Sequence, residues 1–439
     1  MAIAIGKSLS DVRHDPTALV SRRIDPIDLY FAVWAFVMPL TTFLIVAKIQ
    51  GTTPANVMAL LSLGIFGCSK RYLQNGLVIA AVFFTFYIIS QAGLLANGVS
   101  SLKRLELIEP LPRAPVFRMT TLTQGLYFLA CLATFLFVRV YFRRQWMPYI
   151  FAGGWFLVVY GLYEWTYFLV FKKTGDFLGN RVFVSAGETH PGSWSQTMLV
   201  GSTTVLRIKS ITGEPSFFAT VAVPYLALAV TSRRYLLGCG LLLALLLSFS
   251  TSAYLGIIFT LGYLAYARGY VDGKIVTVAF VAVILFFGLQ AIFPKTFSWM
   301  FAEKLLGHST SGERRWIEVV YPLRYFSELP LINQLFGIGF GTTYERTLRV
   351  LIDLGVVGMA LYVLFFAWPL LRLPFKPSLL GIKAATAALL FFHTTGIGEI
   401  FYPSTWMMLG LAYWELDQVR PGADCRYGDG GPRSESDGS

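Results

Sequence analysis

The sequence predicts an all-α polytopic membrane protein with about twelve transmembrane helices and two large loops on one face. Three observations carry this. The first is composition: the 439 residues are 55% hydrophobic and 14% charged, against about 25% charged in an ordinary soluble domain. The second is that apolar runs long enough to span recur along the chain, with no separate soluble domain. The third is that the short turns between runs are alternately basic. Helix is the expected element throughout, because a bilayer leaves backbone groups to be satisfied within the segment.

The elements follow in order. Residues 1–28 are a polar leader with Lys7, Arg13, Arg22 and Arg23; it lacks the short apolar run of a cleaved signal. Spans are expected at about 29–47, then up to Gly67, at 77–96, 119–138 and 149–171. A polar loop at 172–214 follows the fifth. Spans six to nine lie at 215–231, 235–249, 253–267 and 275–293, the seventh and eighth joined by Ser250-Thr251-Ser252. A second large loop covers 294–346, and the last spans lie at 348–371, 380–397 and 404–416. Residues 417–439 form a tail, and its Gly-, Asp-, Ser- and Arg-rich stretch from Arg420 predicts disorder. Gly153-Gly154, Pro39, Pro224 and Pro369 are expected to kink helices or let them pack closely.

Lys70/Arg71, Arg143/Arg144, Arg233/Arg234, Arg268/Lys274 and Arg372/Lys376 all fall on one side. By the positive-inside rule that side is the cytoplasm. Both termini are then cytoplasmic and both large loops outside. The net charge of +12 is therefore read loop by loop, not as a nucleic-acid footprint. None of the four cysteines falls in an outer loop, so neither a disulfide framework nor a zinc site is expected.

The chemistry is expected where the first loop meets span six, Arg207 to Tyr225. Pro215 suits the first helical position, which puts Glu214 at or beside the cap. Helix starts attract anions, and Arg207 offers a forked donor for a phosphate. The alternative is that Glu214 only caps the helix and pairs with Arg207 or Lys209. In the second loop, Ser311 to Tyr321 reads as a short interfacial helix with Trp316 on its apolar face. Arg314 and Arg315 are adjacent and so point differently. His308 stands just upstream, where a lone loop histidine is commonly just solvated. Gly337-Ile-Gly-Phe-Gly341 lacks the spacing of a dinucleotide site; its glycines suit a tight turn and a close approach. Within the spans, Glu164, Asp353, His393 and Glu399 are the main ionisable groups; Glu164 is expected to pair with a tyrosine. No nucleotide-binding motif or metal-binding pattern such as HExxH is present, so no cofactor and no metal is expected.

With loops after spans five and nine, the Gly213-Glu-Pro-Ser216 helix start, Ser311-Gly-Glu-Arg-Arg-Trp316, the glycine triplet and Leu351-Ile-Asp-Leu-Gly-Val-Val-Gly358, the chain resembles the bacterial O-antigen polymerase and O-antigen ligase superfamily. The resemblance covers most of 29–416. It implies a GT-C-like, metal-independent glycosyltransferase of the inner membrane, working at the periplasmic face on an undecaprenyl-pyrophosphate-linked oligosaccharide. A chain-length regulator and a flippase of the same pathway would be partners. By resemblance, Arg207 and Arg314 or Arg315 hold the pyrophosphate, Glu214 matches the acid after the first-loop arginine, and His308 could fill a ligase histidine's place. Many members carry an arginine after the serine between spans seven and eight; Ser250-Thr251-Ser252 departs from that. The expected activity is polymerisation, with Glu214 or His308 as base and Arg207, Arg314 and the start of span six stabilising the leaving group. Arg315, Lys209, Arg181, Trp316, Gly339 and Gly341 are the expected substrate contacts. The rivals are a ligase acting on lipid A core or a protein, and a lipid-linked oligosaccharide flippase; the latter would want an internal repeat, which the sequence lacks.

Overall fold

The computed structural model describes residues 25–46, 51–67, 69–97, 119–178, 181–182, 189–190, 196–200, 203–268, 320, 322–341, 348–395 and 400–419. The chain is mostly helical. Besides a helical stretch at 322–328, the α-helices are α1 (Pro26–Val37), α2 (Pro54–Phe66), α3 (Lys70–Asn97), α4 (Met119–Tyr141), α5 (Met147–Phe171), α6 (Pro215–Thr231), α7 (Tyr235–Leu247), α8 (Thr251–Arg268), α9 (Leu331–Phe336), α10 (Arg349–Arg372), α11 (Leu380–Thr394) and α12 (Pro403–Val419). Among the described residues, four segments are long and apolar enough to cross a membrane: Tyr72–Ala92, Thr123–Tyr141, Arg144–Phe171 and Arg349–Arg372. Six others are apolar but shorter.

The expected first span does not run to residue 47. Helix α1 stops at Val37, ahead of Pro39, which has no N–H to donate. The chain then leaves helical conformation, and Thr42 Oγ1 donates to the Ile211 carbonyl at 3.4 Å. Helix α2 is likewise only 13 residues long. The expected ninth span, the second-loop helix around Trp316 and the tail from Arg420 lie outside the described residues, as does nearly all of the leader; residues 417–419 of the expected tail instead end α12.

The first large loop is not wholly irregular. Strands β1 (Arg181–Val182) and β2 (Thr189–His190) pair antiparallel, as do β3 (Thr197–Val200) and β4 (Thr203–Leu206). Val200 pairs with Thr203 at the end of this register. Gly201-Ser202 between β-branched runs is a hairpin signal in the sequence itself.

Helix α6 is the axis of the molecule. It is apolar on every side, and such a helix belongs inside; buried residues run from Phe217 through Ala229. It packs against α7, α8 and α11. The Gly153-Gly154 pair gives the close approach that was expected of it: a Cβ on Gly154 would lie 3.1 Å from the Tyr225 ring.

Polar contacts gather at the two ends of the bundle. At one end, Arg143 meets Asp25 at 2.8 Å and Asp28 at 3.1 Å, Arg144 meets Glu415 at 3.1 Å, and Arg139 meets Asp417 at 2.9 Å. The α6–α7 turn joins this end through Arg234, whose guanidinium lies over Phe151 near the start of α5. The starts of α1 and α5 and the end of α12 are thus tied together. Asp25 accepts from the Ile27 N–H and from Arg143, and these two bonds hold its carboxyl below the ordinary carboxylate range. Asp28 accepts from the Trp146 indole at 2.6 Å and from Gln145 at 3.2 Å. Asp28→Ala is expected to lower stability by about 1–3 kcal/mol, since it strands the buried indole N–H. Thermal unfolding of the purified protein measures this, and an unchanged melting temperature would refute it.

Candidate functional site

The opposite end of the bundle holds the seam between the first loop and α6. Arg207 follows β4 directly. Its Nη1 donates to Gln196 Oε1 at 2.9 Å, Nε to the Ser248 carbonyl at 3.4 Å and Nη2 to the Phe249 carbonyl at 3.1 Å. These carbonyls follow the last residue of α7, where a cation complements exposed acceptors and the helix dipole. The Ile208 N–H also bonds the Leu247 carbonyl at 3.2 Å. Arg207 therefore fastens the loop to the tip between α7 and α8, and it stays half-buried.

A sharp turn carries the chain from Arg207 to Glu214. Ser210 adopts φ 52° and Gly213 φ 88°, both left-handed. The Ser210 hydroxyl bonds the Leu157 carbonyl at 2.8 Å. Helix α6 then opens with Pro215 at its first position and Glu214 as its cap residue. The Phe218 N–H bonds the Glu214 carbonyl at 2.9 Å. The Glu214 carboxylate makes no capping bond to the helix backbone. Instead Oε2 accepts from the Ser216 hydroxyl at 3.4 Å, and the residue is half-buried.

Lys209, an expected substrate contact, lies in a buried ion triad. Its side chain is 0% exposed, with Nζ 2.6 Å from Glu164 Oε1 and 2.8 Å from Asp176 Oδ2. Both carboxylates are equally buried. Asp176 Oδ1 also accepts from the Tyr160 hydroxyl and, at 3.1 Å, from the Leu178 N–H. The expected tyrosine partner of Glu164 gives way to this lysine, since a buried carboxylate needs a full opposing charge. Nor does Lys209 pair with Glu214. The triad ties α5 and the chain just after it to the turn that presents Arg207 and Glu214.

Gly337, Gly339 and Gly341 have φ of 82°, 113° and 76°. They approach the chain's own α10, which is broken at Gly355 (φ 70°, ψ −174°). The break frees carbonyls, and the glycine loop takes them: Ile338 N–H bonds Ile352 O at 3.0 Å, and Gly339 N–H bonds Asp353 O at 3.3 Å. Gly341 N–H bonds the Asp353 carboxylate at 2.9 Å. The N–H groups of Gly339 and Gly341, two of the expected substrate contacts, thus bond the chain's own α10. A Cβ on Gly337 would collide with the Asp353 carbonyl, and one on Gly355 with that of Leu335. Gly337→Ala and Gly355→Ala should each destabilise by more than about 1 kcal/mol; protease resistance of the purified variants reads this out, and wild-type resistance would count against it.

Asp353 also faces Arg349 one turn earlier, 3.5 Å away. Arg349 Nη2 donates to Gln124 Oε1 at 2.9 Å, and its guanidinium lies 4.6 Å over the Phe401 ring. Neighbouring Tyr402 meets Phe217 of α6 edge-on at 5.4 Å. An aromatic path therefore joins this ion pair to the start of α6. Sequence reasoning noted Asp353 alone; the i, i+4 spacing to Arg349 was a readable signal.

Of the other sequence-derived candidates, Arg181 lies in β1 opposite His190. His308, Arg314, Arg315 and Trp316 lie outside the described residues. Among the described residues, no group of three His, Cys, Asp or Glu is arranged to hold a metal ion. No family model, curated protein or solved structure matches this chain.

Proposed function

We propose that this protein is a membrane glycosyltransferase that moves a glycan from a polyprenyl pyrophosphate to the terminal sugar of a second lipid-linked unit. The observation that carries the reading is the pairing of a half-buried arginine and a half-buried carboxylate on one turn. A fully buried ion triad anchors that turn at one end of a bundle of apolar helices. Such a turn is rigid and lies beside the bundle that would take a lipid tail. In the reaction, the acceptor hydroxyl attacks the anomeric carbon. The bond from that carbon to the pyrophosphate oxygen breaks, and a new glycosidic bond forms. Glu214 takes the hydroxyl proton. The electron pair leaves with the polyprenyl pyrophosphate, whose charge Arg207 stabilises, with Arg314 or Arg315 from the second loop.

The test is purified protein mixed with lipid-linked repeat units alone, with products separated on a gel. A ladder of products supports polymerisation. A reaction that starts only on adding a lipid A core or protein acceptor makes the enzyme a ligase. Unchanged lipid in both cases overturns transferase chemistry and leaves transport.

A further inference from the structure

The end of the bundle away from Arg207 divides into two parts that differ in charge. In one part the arginines are matched by acids: Arg139 by Asp417, Arg143 by Asp25 and Asp28, and Arg144 by Glu415. The other part is built from two turns, 232–234 between α6 and α7 and 373–379 between α10 and α11. These turns abut, since a Cβ on Gly381 at the start of α11 would collide with the Thr231 hydroxyl at the end of α6. Arg233, Arg234 and Lys376 lie in the turns and Arg372 ends α10; all four are exposed. Neither 231–235 nor 372–383 contains an acid, and none of the four cations has a carboxylate partner among the described residues.

A fifth cation lies beneath them. Lys383, near the start of α11, is 1% exposed. Its Nζ donates to the Leu373 carbonyl at 2.6 Å and lies 3.6 Å from the centre of the Phe375 ring. The carbonyl satisfies the hydrogen bond, but a helix end supplies only a partial negative charge. A positive charge is therefore enclosed with no carboxylate partner among the described residues, which is costly. An anion docked at this turn would supply the missing counter-charge.

The apolar surroundings say which kind of anion fits. Trp368, Leu371 and Phe375 are all exposed, and the Arg372 guanidinium lies 4.7 Å over the Trp368 ring. Helix α10 is one of those long and apolar enough to cross a membrane. A cation over an exposed ring at the end of such a helix belongs at the boundary between hydrocarbon and headgroups. A free phosphate would meet the charges alone, whereas a phospholipid also covers the apolar surface with its chains.

We infer that the α6–α7 and α10–α11 turns form a binding site for an anionic phospholipid. Its phosphate sits among Arg233, Arg234, Arg372 and Lys376, and its acyl chains lie against Trp368 and Phe375. The site stands at the opposite end of the bundle from Arg207 and does not depend on the transfer chemistry.

The experiment titrates the detergent-solubilised full chain with phosphatidylglycerol or phosphatidylcholine and counts bound lipid by native mass spectrometry. The wild type is expected to prefer phosphatidylglycerol by about tenfold or more, and the preference should shrink as sodium chloride is raised. Arg372→Gln is expected to weaken phosphatidylglycerol binding about fivefold, and Arg144→Gln, whose charge Glu415 already neutralises, by less than about twofold. Phosphatidylcholine binding should be unchanged in both. The two variants remove one positive charge each from the same end of the bundle, so equal losses would overturn the site and leave only a diffuse surface charge. Equal binding of the two lipids by the wild type overturns it outright. Binding of polyglutamate without any phosphatidylglycerol preference overturns it in favour of a soluble acidic partner.

Discussion

Glu214→Gln and Arg207→Ala should abolish polymer formation while the protein still inserts and folds. For Glu214→Gln the expected loss is about 10²- to 10⁴-fold, the range for removing a positioned general base. The substitution keeps shape, and the Ser216 hydroxyl keeps an acceptor, so the fold has little reason to change. For Arg207→Ala the loss should be at least about 10²-fold, as for removing one donor that stabilises developing negative charge. Arg207 also clamps the carbonyls after α7, so its alanine variant should lose some stability as well. Arg207→Lys separates the two effects: it keeps the charge and loses the fork that reaches both carbonyls and Gln196. Product ladders and melting curves on the same preparations decide the matter. Full-length polymer from either Glu214→Gln or Arg207→Ala would sink the assignment of this turn as the catalytic centre.

The second large effect concerns stability. Lys209→Met should destabilise the protein by about 3–5 kcal/mol, because it leaves the Glu164 and Asp176 carboxylates buried without a cation. All three side chains are 0% exposed, so solvent screening does not soften the loss. Replacing the whole triad together, with Lys209→Met, Glu164→Gln and Asp176→Asn, should recover much of it, since no uncompensated charge remains. The triple variant should also be less active than stable, because the ion triad sets the register of the turn from Arg207 to Glu214. Fluorescence-detected melting of the single and triple variants tests the first claim. A single variant as stable as the wild type would mean that the triad does not hold this turn.

Much of the architecture was legible because bilayer-length apolar runs are a strong and simple signal. The bounds of α5, α6, α10 and α12 lie within a few residues of those the apolar runs predict, and Pro215 at the head of α6 stands where its missing N–H places it. Helix α1 is shorter than the span expected at 29–47. The apolar pattern continues past Pro39, but the backbone does not continue as helix. Hydropathy measures partition, and it is blind to a segment that turns back inside protein to bond Ile211.

The site divides in the same way. Composition and local rules placed Glu214 at a helix start and set Arg207 nearby, since both follow from neighbours in the chain. Lys209 lies two residues beyond Arg207 and carries the same charge, yet its partner Glu164 is 45 positions away in α5. No local rule separates a lysine that will face solvent from one that a distant carboxylate will bury. The glycine triplet was read as a loop that approaches something closely; that the something is the broken turn of α10 depended on packing between segments. The sequence by itself determined the apolar helices, the basic turns and the start of α6, because each is fixed by residues adjacent in the chain. Only the tertiary structure decided which charges are spent on the fold and which remain at the seam, because burial and ion pairing are properties of segments brought together from far apart.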